Sequence, residues 1–238
     1  IKRIQHVLGD IIAIEDNQAI LLTYFRNNIL HSFVLPSLIA ALVEHNGKIS
    51  RSDLINVINT LYPFLKAELF LKWQEDGLKK QVNEYIDALI QIHLISIDED
   101  DVLHSPAPNS EEHNQLVVLA APVMQSLERY YMTLALITQR GSGNISTSQV
   151  EILSHLLGQR LSVLYEFNSP EFFDKSLFQS FIKVLTQQGY IDKNQEGAIV
   201  FDDNFRHVAQ YANLVLDDVT LQMLQHITSF TDEELKQA

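Results

Sequence analysis

Apolar residues recur at helical spacing along most of the chain. Two stripes follow the i, i+4, i+7, i+8 pattern of a helix that packs on one face. The first stripe consists of Leu78, Val82, Tyr85, Ile86, Leu89 and His93, and the second of Phe173, Leu177, Phe181, Ile182 and Leu185. Each stripe is followed by a stretch that alternates polar and apolar residues around a turn, which predicts a β-hairpin. The hairpin sequences are LISIDEDDVLHS and YIDKNQEGAIVFDD, the second turning at Asn194 to Gly197.

A short motif repeats in the two halves of the chain. GKISRS at Gly47 to Ser52 recurs as GNISTS at Gly143 to Ser148, a shift of 96 positions (143 minus 47). The same shift carries Leu94-Ile95 onto Tyr190-Ile191, each a predicted strand start. Two matches in one register indicate a duplicated plan.

In each copy of the motif a Gly-containing turn ends one helix, and a serine then offers an N-cap to the next. The candidate capping residues are Ser50, Ser52, Ser146 and Ser148. Helices followed by a hairpin are typical of a winged-helix-like unit. The sequence therefore predicts a mainly α protein with two tandem winged-helix-like units, at 1–108 and 109–238. The linker is predicted at Ser105 to Glu112, where SPAPNSEE is the most loop-like stretch.

Composition supports a folded helical protein and limits its partners. Hydrophobic residues make up 46% of the 238 residues, and only 8 Gly and 6 Pro occur, which favours helices over a turn-rich β architecture. With 17 Lys+Arg against 30 Asp+Glu the net charge is −13, and the longest basic run is Lys79-Lys80. Such a chain repels phosphate backbones and anionic lipids, so no nucleic-acid partner is predicted.

The candidate wings and recognition helices carry the wrong charge for DNA. The first hairpin tip is Asp98 to Asp101, and the second candidate helix opens with Glu171 and Asp174 beside a lone Lys175. A nucleic-acid-binding winged helix needs basic residues at these surfaces. A protein-packing use of the fold is the favoured interpretation.

No complete catalytic or metal-binding motif occurs. Cysteine is absent, no H-x-x-x-H or H-E-x-x-H pair is present, and RGSGN at Arg140 to Asn144 lacks the Lys-Ser/Thr of a phosphate loop. We therefore predict no catalytic residue, no metal ligand and no cofactor in this chain. No transmembrane segment is predicted either, because Ile29 to Val43 and Leu116 to Met124 are short and contain Pro36 and Pro122.

Three long strings carry a family resemblance. LLTYFRNNILHSFVLPSLIAALV (Leu21 to Val43), LYPFLKAELFLKW (Leu61 to Trp73) and LGQRLSVLYEFNSPEFFDK (Leu157 to Lys175) closely resemble the C-terminal region of the bacterial membrane-bound glycerol-3-phosphate 1-O-acyltransferase family. The resemblance implies an enzyme that moves an acyl chain from a thioester of acyl carrier protein or coenzyme A to the 1-hydroxyl of sn-glycerol 3-phosphate, the first step of phospholipid synthesis. It also implies a location at the cytoplasmic face of the inner membrane.

The family's catalytic His-x-x-x-x-Asp block lies upstream of the matched region. His93 and Asp98 have that spacing, but His93 continues a helical stripe and Asp98 falls at a hairpin tip, so a catalytic pair is not expected. The first hypothesis is thus a non-catalytic C-terminal module, inactive alone, that packs on and supports an upstream acyltransferase domain. The start at Ile1 instead of Met agrees with a fragment. The alternative is a free-standing tandem winged-helix adaptor or regulator that binds a protein partner.

The first string also supplies the candidate site. Tyr24, Arg26, Asn27, His31 and Pro36 form a skeleton that looks like the one in related glycerone-phosphate acyltransferases. On a helical wheel Tyr24, Asn27, Asn28 and His31 share one side, as a structural polar stripe.

Arg26 falls on the opposite and most apolar face, among Leu22, Phe25, Ile29, Leu30 and Phe33. A guanidinium there needs a partner. The partner is either a carboxylate within this module, or a group across an interface with an upstream domain, namely a carboxylate of that domain or the substrate phosphate. Exposure of the Arg26 guanidinium to solvent is the third alternative.

Overall fold

The protein is mainly helical, with three small antiparallel sheets within the described part of the chain. The computed structural model describes residues 2–5, 9, 11–13, 16–69, 71, 73–165, 174–216 and 218–228. The helices are α1 (Asp16–Asn46), α2 (Arg51–Leu69), α3 (Glu75–Gln91), α4 (Glu111–Arg140), α5 (Thr147–Tyr165), α6 (Lys175–Gln187), α7 (Asp203–Gln210), α8 (Ala212–Val215) and α9 (Asp218–Thr228). The strands are β1 (Lys2–Ile4), β2 (Ile11–Ala13), β3 (Lys48–Ser50), β4 (Ser96–Ile97), β5 (Val102–His104), β6 (Ile191–Lys193) and β7 (Ile199–Phe201).

Both predicted hairpins are confirmed. β4 pairs with β5, and β6 pairs with β7, each antiparallel. In the first sheet β3 also pairs with β5, giving the order β3-β5-β4. In the second half an isolated antiparallel bridge between Ser146 and Ala198 occupies the place that β3 has in the first.

The predicted serine caps are confirmed at Ser50 and Ser146. Ser50 Oγ accepts a hydrogen bond from Asp53 N at 3.0 Å and lies 3.0 Å from Ser52 Oγ. Ser146 Oγ accepts from Gln149 N at 3.3 Å and lies 3.2 Å from Ser148 Oγ. Each serine thus satisfies a backbone N–H that has no partner inside the first helical turn. The sequence motif that occurs twice therefore corresponds to the same capping hydrogen bonds in both halves of the chain.

The core is a continuous cluster to which both halves of the chain contribute. The carboxyl-terminal half of α1 lies fully inside it, from Val34 to Val43, and packs chiefly against α4. α2 contacts α6, so the first half of the chain touches the second at this place also. The division into units at 1–108 and 109–238 stays a prediction, because a shared core is compatible with either one unit or two.

Two details of the sequence interpretation are wrong. The apolar spacing predicts a helix that reaches His93, but α3 ends at Gln91, and His93 is exposed with a left-handed φ of 62°. The first hairpin strand begins at Ser96 and not at Leu94. Leu94 and Ile95 are nevertheless buried, so they anchor the turn between α3 and β4 in the core.

Several elements were not predicted. β1 and β2 form a hairpin near the amino terminus, and α7, α8 and α9 follow the second hairpin. Asp202 caps α7 by accepting a hydrogen bond from Asn204 N, and Phe205 and Val208 face the core. A cap residue followed by apolar residues three positions apart is a helix signal that the sequence does contain.

One stretch in the described residues, Ile29–Asn46 in α1, has the length and apolarity of a membrane span. Half of it is buried inside the protein, and a core helix meets the same criteria. The proline that seemed to shorten this stretch, Pro36, lies within the continuous helix, as Pro122 does in α4.

Candidate functional site on the first long helix

The amino-terminal half of α1 carries a row of large apolar side chains that are about half exposed. Leu21, Leu22, Phe25, Ile29 and Phe33 are each between 45% and 56% exposed. From Val34 to Val43 the same helix is buried except at the half-buried Pro36. The change is abrupt, and it divides α1 into a core half and an outer half; we call the five exposed residues the outer face.

The predicted site residues lie on this outer half. The structure places Tyr24, Arg26, Asn27 and Asn28 in the backbone of α1, while their side chains lie outside the described part. His31 is exposed. The wheel put Arg26 among residues of the outer face, so its neighbours along the helix are exposed apolar side chains and not core. The roles of Arg26 and of the polar stripe stay predictions.

A buried polar network, which sequence reasoning missed, joins α2 to α4. Glu68 Oε1 accepts hydrogen bonds from Ser126 Oγ at 2.8 Å and from Arg129 Nη2, and Glu68 Oε2 accepts from Tyr130 Oη at 2.6 Å. The side chains of Arg129 and Glu68 are only 4% and 10% exposed. A buried carboxylate is tolerated because all these donors converge on it.

Aromatic rings surround this network. The Tyr130 and Phe181 rings are stacked at 4.6 Å with 3° between their planes, and the Phe64 ring lies 5.0 Å from that of Phe181. Burial, with the Glu68 carboxylate next, raises the pKa of Tyr130, so the phenol stays protonated and donates. α2, α4 and α6 are therefore fixed together around one ion pair.

His93 and Asp98 do not form a pair. Asp98 Oδ2 lies 2.8 Å from His104 Nε2 across the hairpin, and Asp98 Oδ1 accepts from the backbone N–H of Asp100 and Val102 at 3.0 Å each. The hydrogen bond from His104, then that from Val102, lowers the pKa of Asp98. Asp101 Oδ1 accepts from Arg51 Nε at 3.0 Å. These two acidic side chains of the hairpin tip hold its turn and fasten it to α2.

No cluster of three or more potential metal-ligating side chains occurs among the residues that the structure describes. The described geometry offers an exposed apolar face on α1 and a buried network that joins α2 to α4.

Comparison with known proteins agrees with the resemblance carried by the sequence. The family described as the glycerol-3-phosphate acyltransferase C-terminal region matches residues 1–194. Glycerol-3-phosphate acyltransferase of Pseudomonas aeruginosa (strain LESB58) is 38% identical over 205 residues, which is 86% of this chain and 24% of that protein. The protein of the same name from Ectopseudomonas mendocina (strain ymp) is 40% identical over 192 residues, 81% of this chain and 23% of the relative.

A mainly helical module with an exposed apolar face on its first long helix is the class that the geometry defines. The chain belongs to the family of glycerol-3-phosphate acyltransferase C-terminal regions. It spans about a quarter of the length of the curated relatives that it matches.

Proposed function

We propose that this chain is the non-catalytic C-terminal module of a glycerol-3-phosphate 1-O-acyltransferase and that it packs on and supports the acyltransferase domain. The observation that carries this proposal is the outer face of α1. Five large apolar side chains in one helical half are about half exposed, although nearly every residue of the same helix from Val34 to Val43 is buried. A contiguous apolar patch of this kind marks an interaction surface.

The occupant of the outer face is the remainder of the acyltransferase chain. The relatives are about four times as long as the matched region, so a large domain is covalently present near this module. A covalently tethered partner has a high effective concentration, and a modest apolar face is then sufficient for stable packing. The alternative of a free-standing adaptor is less favoured because the match is to part of a longer enzyme.

Arg26 belongs to the same surface in this proposal. Its guanidinium pairs with a carboxylate of the acyltransferase domain or with the substrate phosphate, and its planar fork suits either group. An ion pair within the module is the competing assignment for Arg26. The stripe of Tyr24, Asn27, Asn28 and His31 on the other side of the helix hydrogen-bonds neighbouring helix ends.

The two units are winged-helix-like and serve protein packing. The chain order α1-β3-α2-α3-β4-β5, with the strand order β3-β5-β4 in the sheet, supports this assignment for the first unit. The acidic hairpin tip, held in place by Arg51, presents no basic surface to a phosphate backbone. In the full-length enzyme the acyl donor is a thioester of acyl carrier protein or coenzyme A, and the enzyme acts at the cytoplasmic face of the bacterial inner membrane.

The test uses the full-length enzyme and the double variant Ile29→Ser/Phe33→Ser. The matched control is Val118→Ser/Val219→Ser, which removes two valines that are 73% and 76% exposed elsewhere. Completing the burial of a half-exposed Ile or Phe contributes about 1 kcal/mol each. We expect the outer-face variant to lower the melting temperature of the full-length enzyme and its acylation of glycerol 3-phosphate, with the control unchanged.

The isolated 238-residue chain provides the second half of the test. There each side chain keeps only the burial that this chain itself provides, so the double variant loses less stability than in the full-length enzyme, and the chain alone has no acyltransferase activity. Equal behaviour of outer-face and control variants in the full-length enzyme would refute the docking role. Acylation of glycerol 3-phosphate by the isolated chain would refute the non-catalytic assignment.

A further inference from the structure

A cleft of about 470 Å³ lies between α4 and the helices α7, α8 and α9. Its floor includes Tyr131, Leu134 and Leu224, all buried. Alanines from three helices complete its walls, and their small side chains leave the cleft deep: Ala135, Ala209 and Ala212. The size and the apolar floor are those of a small-molecule site.

The mouth of the cleft is polar. The carboxamides of Gln139, Gln210 and Gln225 are exposed there and make no side-chain hydrogen bond within the described part of the chain. Arg206 also borders the cleft, with its side chain 61% exposed. Its partner Asp203, at 3.2 Å, is at the surface, and an exposed i,i+3 pair of this kind is weak. The guanidinium also lies 6.0 Å from the centroid of the Phe201 ring, a contact that uses none of its N–H donors, so these donors are available to a stronger ligand.

The charge of the cleft differs from that of the chain as a whole. Asp and Glu outnumber Lys and Arg by 30 to 17 in the sequence, yet the described residues that line the cleft include one arginine and no carboxylate. An anionic group bound in the cleft would contact no negatively charged side chain among these residues. The floor and walls consist mainly of leucine and alanine side chains, with a single aromatic ring. They therefore fit a hydrocarbon chain better than a nucleotide base, which needs aromatic stacking partners.

We infer that this cleft binds a single-chain amphiphile with an anionic head group, either a carboxylate or a phosphate. The hydrocarbon chain lies along the leucine and alanine floor, and the head group meets Arg206 with the three carboxamides. Arginine is suited to both head groups because its fork donates two parallel hydrogen bonds. α7, α8 and α9 follow the family-matched residues 1–194, and the inference does not rest on the proposed function.

Titration calorimetry of the 238-residue chain tests this inference, with tetradecanoate, tetradecyl phosphate and the neutral tetradecanol as probes, each below its aggregation limit. We expect one saturable site for at least one anionic probe, and weaker binding of the alcohol. Ala209→Phe fills the cleft and abolishes the site. Its control, Ala121→Phe, adds the same ring to an exposed position of α4 and leaves binding unchanged.

Arg206→Gln is the second variant, at an exposed position where folding is not at risk. It weakens the binding of the anionic probes about tenfold and leaves the binding of the alcohol unchanged. Tighter binding of tetradecanoate identifies a fatty-acid carboxylate, and tighter binding of tetradecyl phosphate identifies a phosphate head group; either supports the inference. Absence of a saturable site, equal affinity for the alcohol, or undiminished binding by both variants overturns it.

Discussion

Two neighbouring tyrosines in α4 should differ in how much stability they lose when their hydroxyl groups are removed. Tyr130 and Tyr131 are each 2% exposed, so Tyr→Phe leaves a buried ring of nearly the same size at both positions. The Tyr130 hydroxyl donates to Glu68 Oε2 at 2.6 Å, whereas the Tyr131 hydroxyl has no hydrogen-bond partner within the described residues. The comparison therefore isolates one buried hydrogen bond.

The magnitudes follow from these contacts. A hydrogen bond to a charged group contributes about 1.5–3 kcal/mol, so we expect Tyr130→Phe to lower the free energy of unfolding by about 2 kcal/mol. At Tyr131 the buried hydroxyl has lost its water without gaining a partner, so Tyr131→Phe should be neutral or stabilise by about 1 kcal/mol. For a chain of this size 2 kcal/mol corresponds to a shift of about 4–8 °C in melting temperature.

Urea unfolding followed by circular dichroism at pH 7 measures both variants, and an unchanged slope with denaturant confirms that the folded and unfolded ensembles are comparable. Equal losses at the two positions, or a larger loss at Tyr131, would refute the reasoning. Burial raises the pKa of both tyrosines, so pH 7 keeps both phenols neutral.

Three further predictions concern other sites. In the full-length enzyme Arg26→Lys should lower the acylation rate by more than any loss of folded protein explains, because an ammonium cannot reproduce the two parallel hydrogen bonds of a guanidinium. Wild-type turnover with an unchanged melting temperature would show that Arg26 is only a surface residue. Ser50→Ala and Ser146→Ala should each destabilise the chain by about 1 kcal/mol in urea unfolding, since each removes an N-cap, and a null effect at either would contradict the assigned cap. The lowered pKa of Asp98 means that its contribution to stability is present above the ordinary aspartate pKa and is lost as pH falls through the lower folded value. The protection of the Asp100 and Val102 amides against hydrogen exchange, measured relative to their intrinsic rates, should then fall in acid, and Asp98→Asn should weaken that dependence. An unchanged acid profile of protection in the variant would exclude Asp98 as its source.

Local features were predictable because their causes are local. The hairpins follow from alternation and turn residues, and the caps at Ser50 and Ser146 follow from a serine placed just before an apolar helix. His93 shows the limit of such reasoning. Its spacing fits the helical stripe of α3, but the backbone turns before it, at Ile92, where nothing in the periodicity marks the end.

Long-range features could not be predicted in the same way. Glu68 and Arg129 are 61 positions apart, and their pairing depends on how α2 crosses α4. The exposure of Leu22 and Ile29 likewise depends on where the neighbouring helices stop, although the wheel located the apolar face to which they belong. α7 and α9 were missed, and the cleft with them, because the repeated plan ends at the second hairpin.

Pro36 lies next to the point where α1 passes from its outer half to its core half. A proline has no amide hydrogen, so the carbonyl of Ser32 lacks its usual helical donor, and bending costs least at that turn. The 31 residues of α1 make a rod about 46 Å long. Its far end is fastened, because Asn46 Nδ2 donates to Leu214 O at 2.8 Å. α1 is thus anchored at its carboxyl-terminal end and bends most easily near its middle, so its amino-terminal half can adjust to a partner's surface while the carboxyl-terminal half keeps its place in the core.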